Sequence, residues 1–537
     1  MEQFDYVIIG AGTAGCTLAL RLSQSGASVC VLEAGPPARN PFIRIPSGIL
    51  KTSSDPRLTW RYTMQGSAAV NNREMPTFFG KTSGGSSAIN GMMYNRGQRG
   101  DYDDWANKEG CTGWDFDTVL PYFRKSETYV DGGDPKLRGH DGPIKVGLLR
   151  HQDAITDRFF AACETTGMHQ IADYNGPDQE GYSYAQAQIH RGRRSFSADA
   201  YLAPACRRHR AVLRNHAMVE QILIRDGHAY GLRYRQGGPA SDAKEIHAKR
   251  EVLLCAGAIM SPKLLQLSGI GPSDLLKRHG ISVQHHAPAV GANLSDHFSV
   301  RMVARIKHGY GSLNEKVKFP HNALEALKWM TGQPSILALT SMIGCTFNRL
   351  SPEDRDTGYS MFFLPAALKA GMTRVLDEFP GITGGGWQQK PTSRGAVEIR
   401  SGDITEPPDI HANFLATAED QAVSLRVIRH LDRLFKAPPL AEIILQRSLP
   451  VEDCRSDDEW LDYLRAYGVT SYHPAGTCRM GARNAPHTVV DPQLKVLGIS
   501  GLRVIDASVM PTQVSGNLNA AVMMIAERGA DLILGKA

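Results

Sequence analysis

A chain of 537 residues is too long for one ordinary core and suits two sizeable domains. Its composition, 42% apolar and 21% charged, is ordinary globular and argues against extensive disorder. The net charge of +6 is mild and the Lys and Arg residues form no run, so no nucleic-acid partner is expected.

The nine cysteines are an odd number and include no CxxC pair. That disfavours a disulfide framework or a zinc ribbon and fits a reducing, cytoplasmic setting. The first strand begins within a few residues of Met1, which leaves no room for a signal peptide. No run of about 18 uncharged apolar residues occurs, so no membrane span is expected. Peripheral attachment to the inner membrane is compatible with this pattern. His285-His286 and the scattered acids lack metal-ligand spacing, and no metal is expected.

Residues 6–9 form a short apolar run that reads as a buried parallel strand. It leads into Gly10-Ala11-Gly12-Thr13-Ala14-Gly15. Leu18, Ala19 and Leu22 then share one helical face, and Gly26 is placed to end that helix. A second apolar strand over 29–32 ends in Glu33. This is a βαβ unit in the order a dinucleotide site requires. Gly10 makes the tight turn, Gly12 lets the backbone approach a pyrophosphate, and Gly15 lets helix and strand pack closely. The pyrophosphate sits at the helix N-terminus, and Glu33 accepts a bond from a ribose hydroxyl. An acid at this position disfavours NADP and leaves NAD and FAD open.

Residues 80–97 read GKTSGGSSAINGMMYNRG, where adjacent glycines followed by serines suit either a loop wrapped on a cofactor or a mobile surface loop. Asp226-Gly227 between two β-rich runs predicts a hairpin. Residues 252–256 predict another buried strand, and Ser261-Pro262 predicts the cap of a new helix with Pro at its first position. His473 lies in Ser471-Tyr472-His473-Pro474. Histidine is the usual general base near neutral pH, although a lone histidine is more often a satisfied polar residue. Asn519 precedes a strongly apolar helix expected from about 520 to 534, where capping is an ordinary task for asparagine.

Several of these segments, in this order, resemble the glucose–methanol–choline oxidoreductases. They are the Gly10–Gly15 turn with Glu33, the Gly84-Gly85-Ser86-Ser87 loop, Gly257-Ala258-Ile259-Met260-Ser261-Pro262 with Ser268-Gly269-Ile270-Gly271, and Gly291-Ala292-Asn293-Leu294-Ser295-Asp296-His297. Ser393-Arg394-Gly395, Tyr472-His473-Pro474 with Gly476-Thr477-Cys478-Arg479-Met480, Asp506-Ala507-Ser508 with Met510-Pro511, and Gly516-Asn517-Leu518-Asn519 complete the series. The resemblance covers essentially the whole chain and has the look of bacterial alcohol, choline and sorbose dehydrogenases.

The resemblance implies FAD as cofactor and an α/β fold, α+β overall. A Rossmann-like FAD-binding domain is built from residues 1–155, 192–305 and 460–537. A substrate domain with an antiparallel sheet takes 156–191 and 306–459. Cofactor contacts are implied for Gly10, Gly12, Thr13, Ala14, Gly15, Glu33, Ala34 and Trp60. They are implied too for Gly80, Gly84, Gly85, Ser86, Asn90, Gly91, Met92 and Met93 on the second loop, and for Val219, Ala256, Asp506, Ala507 and Asn519. His473 is implied to take the alcohol proton as hydride leaves for flavin N5. Asn519 is implied as the second catalytic position, orienting the substrate oxygen. His297 is expected to be a structural part of its motif. Relatives that attach FAD covalently carry histidine where this chain has Ile89, so dissociable FAD is expected.

In choline-oxidising relatives a glutamate faces the trimethylammonium group. The matching segment is taken to be Ser341-Met342-Ile343-Gly344-Cys345, with Ile343 at the glutamate's place. A quaternary ammonium ligand needs a carboxylate or an aromatic cage. The expectation is therefore a small-molecule substrate, a neutral primary alcohol, with dioxygen or a quinone-like carrier as electron acceptor. Choline dehydrogenase, a non-redox lyase that keeps FAD as structure, and an NAD-linked dehydrogenase are the alternatives.

Overall fold

The computed structural model describes residues 2–149, 151, 153–369 and 375–537. The N-terminal unit forms as its pattern predicts. Strand β1 (Glu2–Ile9), helix α1 (Thr13–Gln24) and strand β2 (Val29–Leu32) follow one another, and Gly26 sits just past the helix at φ 89°. Strands β3 (Ala217–Arg225) and β4 (His228–Gln236) make the hairpin about Asp226-Gly227, both at positive φ. Strand β5 (Ala243–Leu254) then returns to the centre of the sheet, parallel to β1.

The sheet order is 212–214, β2, β1, β5, β4, β3, with Leu502–Val504 paired to β5. Ile9 stands level with Leu32 on one side and Leu254 on the other. The carboxyl ends of three parallel strands therefore open on one crevice, where open α/β sheets bind ligands.

Helix α2 (Gly257–Leu267) corrects one expectation. It begins at Gly257, so Ser261-Pro262 lies inside it rather than at its start. Pro262 has no N–H for the carbonyl one turn back, and the Thr477 hydroxyl fills that gap by donating to Ala258 O at 2.6 Å. Ser261 donates to Asp506 at 2.6 Å instead of capping.

The second sheet is antiparallel. It contains strands β6 (Phe298–Ile306), β7 (Gly344–Asn348), β8 (Tyr359–Leu364) and β9 (Gly381–Gln388), ordered 444–449, β6, β9, β8, β7, 181–184. The expected domain limits put most of β6 with the cofactor segments, yet it pairs wholly within this second sheet. In β9, Gly384 and Gly386 leave room on the back face for Leu431, Phe435 and Val427 of helix α3 (Ala418–Lys436). Gly385 and Trp387 face the other way. The last helix, α4 (Leu518–Ile533), packs along α1 and is tied to it by the Arg21–Glu527 ion pair at 2.7 Å. Among the described residues no helix is long and apolar enough to cross a membrane.

Candidate active site

A cavity of about 540 Å³ joins the two sheets. One end is the strand-end crevice, with Gly10, Gly12, Thr13, Glu33 and Ala256 in its wall. The other end is the front of the second sheet, with Trp387, Phe362 and Leu364.

The crevice end is made largely of backbone. Gly10 has φ 93°, and a Cβ there would stand 2.6 Å from Cys255 O. A Cβ on Gly15 would stand 1.9 Å from Gly10 O, so that glycine is demanded by the chain's own packing. Gly12 differs, because a Cβ there meets no protein atom within 4 Å and would project into the cavity. Gly12 is also the N-cap of α1, and no side chain caps that end. Its first N–H groups are thus available to an anion, and the dipole favours one. Glu33 accepts from Ala11 N at 2.9 Å and from Gly35 N at 2.8 Å, while burial pushes its carboxyl up to about 7. These features fit a dinucleotide with its pyrophosphate over Gly12.

The second glycine-rich loop closes over the first. A Cβ on Gly85 would come within 2.7 Å of Gly12 Cα, so the two loops touch backbone to backbone. Arg194 clamps this loop from below, donating to Ile43 O at 2.8 Å, Ser87 O at 3.1 Å and Asn90 Oδ1 at 2.8 Å. Asn90 Oδ1 also accepts from Met92 N at 3.0 Å.

His473 is held from four sides. Its backbone N–H donates to buried Asp296 at 2.9 Å, and its carbonyl accepts from Gln513 at 2.9 Å. Its Nδ1 lies 3.0 Å from His297 Nδ1, and its Nε2 lies 3.0 Å from Asn517 Nδ2. The protons in this chain follow from its far end. His297 Nε2 lies 2.9 Å from the carbonyl of Gln389, which only accepts, so that nitrogen carries hydrogen. Burial lowers His297 to about 4, so its ring is neutral and its Nδ1 is an acceptor. His473 Nδ1 must then donate, which leaves His473 Nε2 as an accepting lone pair facing the cavity and the Asn517 amide. The arrangement presents one base and one donor side by side.

Two family models match the chain, both described as GMC oxidoreductase, over residues 4–299 and 391–526. The chain belongs to the GMC oxidoreductases. It is 36% identical to an oxygen-dependent choline dehydrogenase of Photobacterium profundum, over 99% of this chain and 93% of that one. A protein of the same name from Staphylococcus aureus is also 36% identical, over 100% and 94%. Among solved structures, pyridoxine 4-oxidase from Mesorbium loti superposes with a TM-score of 0.86 at 26% identity, covering 98% of both chains. A variant of Aspergillus oryzae formate oxidase gives 0.89 at 28%, covering 100% of this chain and 98% of that one. This GMC oxidoreductase is an FAD-dependent enzyme acting on the CH–OH group of its donors.

Within the GMC cavity stand Gly10, Gly12, Thr13, Ala14, Glu33, Ala34, Trp60, Gly80, Gly85, Ser86, Asn90, Gly91, Met92, Met93, Val219, Ala256, Asp506 and Ala507. Gly15 and Gly84 do not reach it. Gly84 turns the loop at φ 94°, with its missing side chain facing Phe196. Asp506 reaches the wall, but its oxygens accept from Gly257 N, Ser261 and both donors of Ser508, at 2.6–2.8 Å. Ile89 is buried with Ile43, Leu58 and Phe196.

Three expectations change. The asparagine on His473 is Asn517, not Asn519. Asn519 also lines the cavity but faces α1, accepting from Thr13 Oγ1 at 2.7 Å and donating to Gln188 at 2.9 Å. Helix α4 begins between the two, and two helical steps turn a side chain by about 200°. Nor is Asn519 the N-cap; Asn517 is, and it makes no side-chain cap. His297, expected as a structural part of its motif, is a direct partner of His473. Ile343, fully buried among Leu313, Ile336 and Leu364, is not in the wall, whereas Ser341 and Met342 are.

Proposed function

We propose that this enzyme oxidises a non-cationic alcohol, with His473 Nε2 as the base and Asn517 Nδ2 as the donor to the alcohol oxygen. The observation that carries this reading is the chain Gln389–His297–His473–Asn517, which fixes the accepting nitrogen of His473 toward the cavity. The substrate hydroxyl exchanges into the Asn517–His473 bond. Its oxygen accepts from the amide and its proton passes to Nε2, which turns a poor hydride donor into a good one. FAD, when bound, supplies the acceptor for the hydride. The protein keeps the Nδ1–H of His473 on His297, so the imidazolium that forms is already hydrogen-bonded.

Two features narrow the substrate and the attachment. Among the described residues the acids in the cavity wall are Glu33 and Asp506, both at the crevice end and both engaged by protein donors. A trimethylammonium group would find the rings of Phe362 and Trp387 at the second sheet but, among the described residues, no carboxylate, so this reading departs from the substrate in the relatives' names. Ile89 offers only carbon, so FAD is held without a covalent bond and should be released by acid precipitation.

The test is rapid-mixing reduction of His473→Ala by an alcohol that the wild-type enzyme oxidises. FAD should stay bound while the rate of flavin bleaching falls about a thousandfold or more. Bleaching at the wild-type rate would remove His473 from the chemistry.

A further inference from the structure

Among the described residues, the front of the second sheet carries one charged side chain that no part of the mechanism uses, Arg301. Ser299 and Arg301 lie two residues apart on β6 and so share a face, and both stand in the cavity wall. Ser299 is paired with Trp387 and Arg301 with Gly385 on β9. The missing side chain of Gly385 is replaced by the Phe362 ring, to which a Cβ would approach within 2.3 Å. Arg301 therefore stands beside Phe362 and two residues along from Trp387, whose ring lies 6.0 Å from that of His473. It is on the substrate side of the cavity, on the sheet opposite Glu33.

Among the described residues the guanidinium has no counter-charge. Its Nε is buried without a hydrogen-bond partner, and it makes no ion pair with a carboxylate of the described residues. The ionisable side chains that act on it are two tyrosines, Tyr472 and Tyr463, and burial lowers it from the ordinary arginine range. Trp387 Nε1, a donor that cannot accept, is likewise buried without a partner on the same face. A half-buried cation on the same sheet face as an unsatisfied N–H, in a wall that also carries Leu364, Met342 and Phe362, is a site that lacks its acceptor.

We propose that Arg301 anchors an anionic group of the substrate, and that the alcohol oxidised at His473 bears a carboxylate. The inference rests on the alcohol-oxidising reading above and replaces the expected neutral alcohol with a hydroxycarboxylate. A carboxylate is the anion of choice for two reasons. Its plane and two oxygens match the guanidinium fork. One guanidinium also cancels one negative charge, whereas a phosphate dianion would leave a second charge buried and unpaired.

The test uses the FAD-loaded enzyme and two readouts. First, propionate, benzoate and their amides are titrated against the flavin absorbance. The carboxylates should perturb it at concentrations about tenfold or more below those of the amides, and R301Q should abolish the difference. Second, kcat/KM is measured for ω-hydroxycarboxylates of increasing length and for 4-(hydroxymethyl)benzoate, each against its amide. The carboxylate-over-amide ratio should be at least about tenfold and should fall to near unity in R301Q, with R301K between. FAD content and melting temperature certify that each variant is folded. Equal binding of carboxylates and amides by wild type, or a preference that survives in R301Q, overturns the proposal. Loss of all alcohol oxidation with Arg301-dependent carboxylate binding intact would instead overturn the reading of the reaction.

Discussion

The two ends of the cavity are built from different material. At the crevice end the wall is backbone: N–H groups of α1, glycines without side chains, and two loops in contact at Gly12 and Gly85. At the sheet end the wall is side chains that converge from strands far apart in sequence, β6, β8 and β9, with His473 and Asn517. A backbone site tolerates no added atom and recognises a cofactor of fixed shape. A side-chain site is rewritten by one substitution, so cofactor identity and substrate choice are separable in this fold.

The severest break of the comparison lies at the crevice. Gly15→Ala puts a methyl into the carbonyl of Gly10, and the expected result is loss of soluble, folded protein, read by expression and circular dichroism. Gly12→Ala, three residues away, should leave the apoprotein's melting temperature nearly unchanged. It should weaken FAD by about tenfold or more in equilibrium titration, because its methyl meets only the ligand's space. If Gly12→Ala unfolds the protein, the distinction between packing glycine and ligand glycine fails.

At the sheet end the two asparagines divide the same way. Asn517→Ala should slow flavin reduction by about a hundredfold with FAD retained. Asn519→Ala should slow it by less than about tenfold and loosen FAD, because its bonds go to Thr13 and Gln188. The reverse pattern in stopped-flow reduction would restore Asn519 to the chemistry.

The smallest effect concerns acid stability. His297 and His430 stay neutral in the fold down to about 4, whereas an unfolded histidine takes up its proton near 6.5. The stability they contribute is complete above about pH 6.5 and is lost as the pH falls toward 4. Glu33 and Asp296, raised to about 7 by burial, gain protons in the folded state over the same window and oppose that loss. His430→Gln, which can keep the bond to Tyr359, should therefore lose less melting temperature than wild type between pH 7.5 and 5. An unchanged difference would mean that His430 is not held neutral.

The same division explains what was legible. A backbone site needs glycine at fixed spacings within one βαβ unit, so the first 33 residues carry most of the cofactor end. A side-chain site depends on facing, which sequence encodes weakly. Asn517 and Asn519 differ only in which side of a helix start they occupy. Ile343 and Met342 differ by one residue, and one step reverses a side chain's direction. His297 and His473 meet across 176 positions, and only the motif order hinted that their segments are neighbours. Arg301 falls in a run that reads as an ordinary strand, and nothing local says that its face is the cavity.

The chain that orients His473 also has a terminus. Protons can hop along imidazoles only while each ring can pass one on, and the last acceptor here is the Gln389 carbonyl, which cannot take one. Seen as wiring, the relay is a cul-de-sac. If His473 takes the alcohol proton as proposed, that proton cannot drain through His297 and must leave from the cavity side of the ring. On that proposal, alcohol, proton and electron acceptor would all share the one cavity.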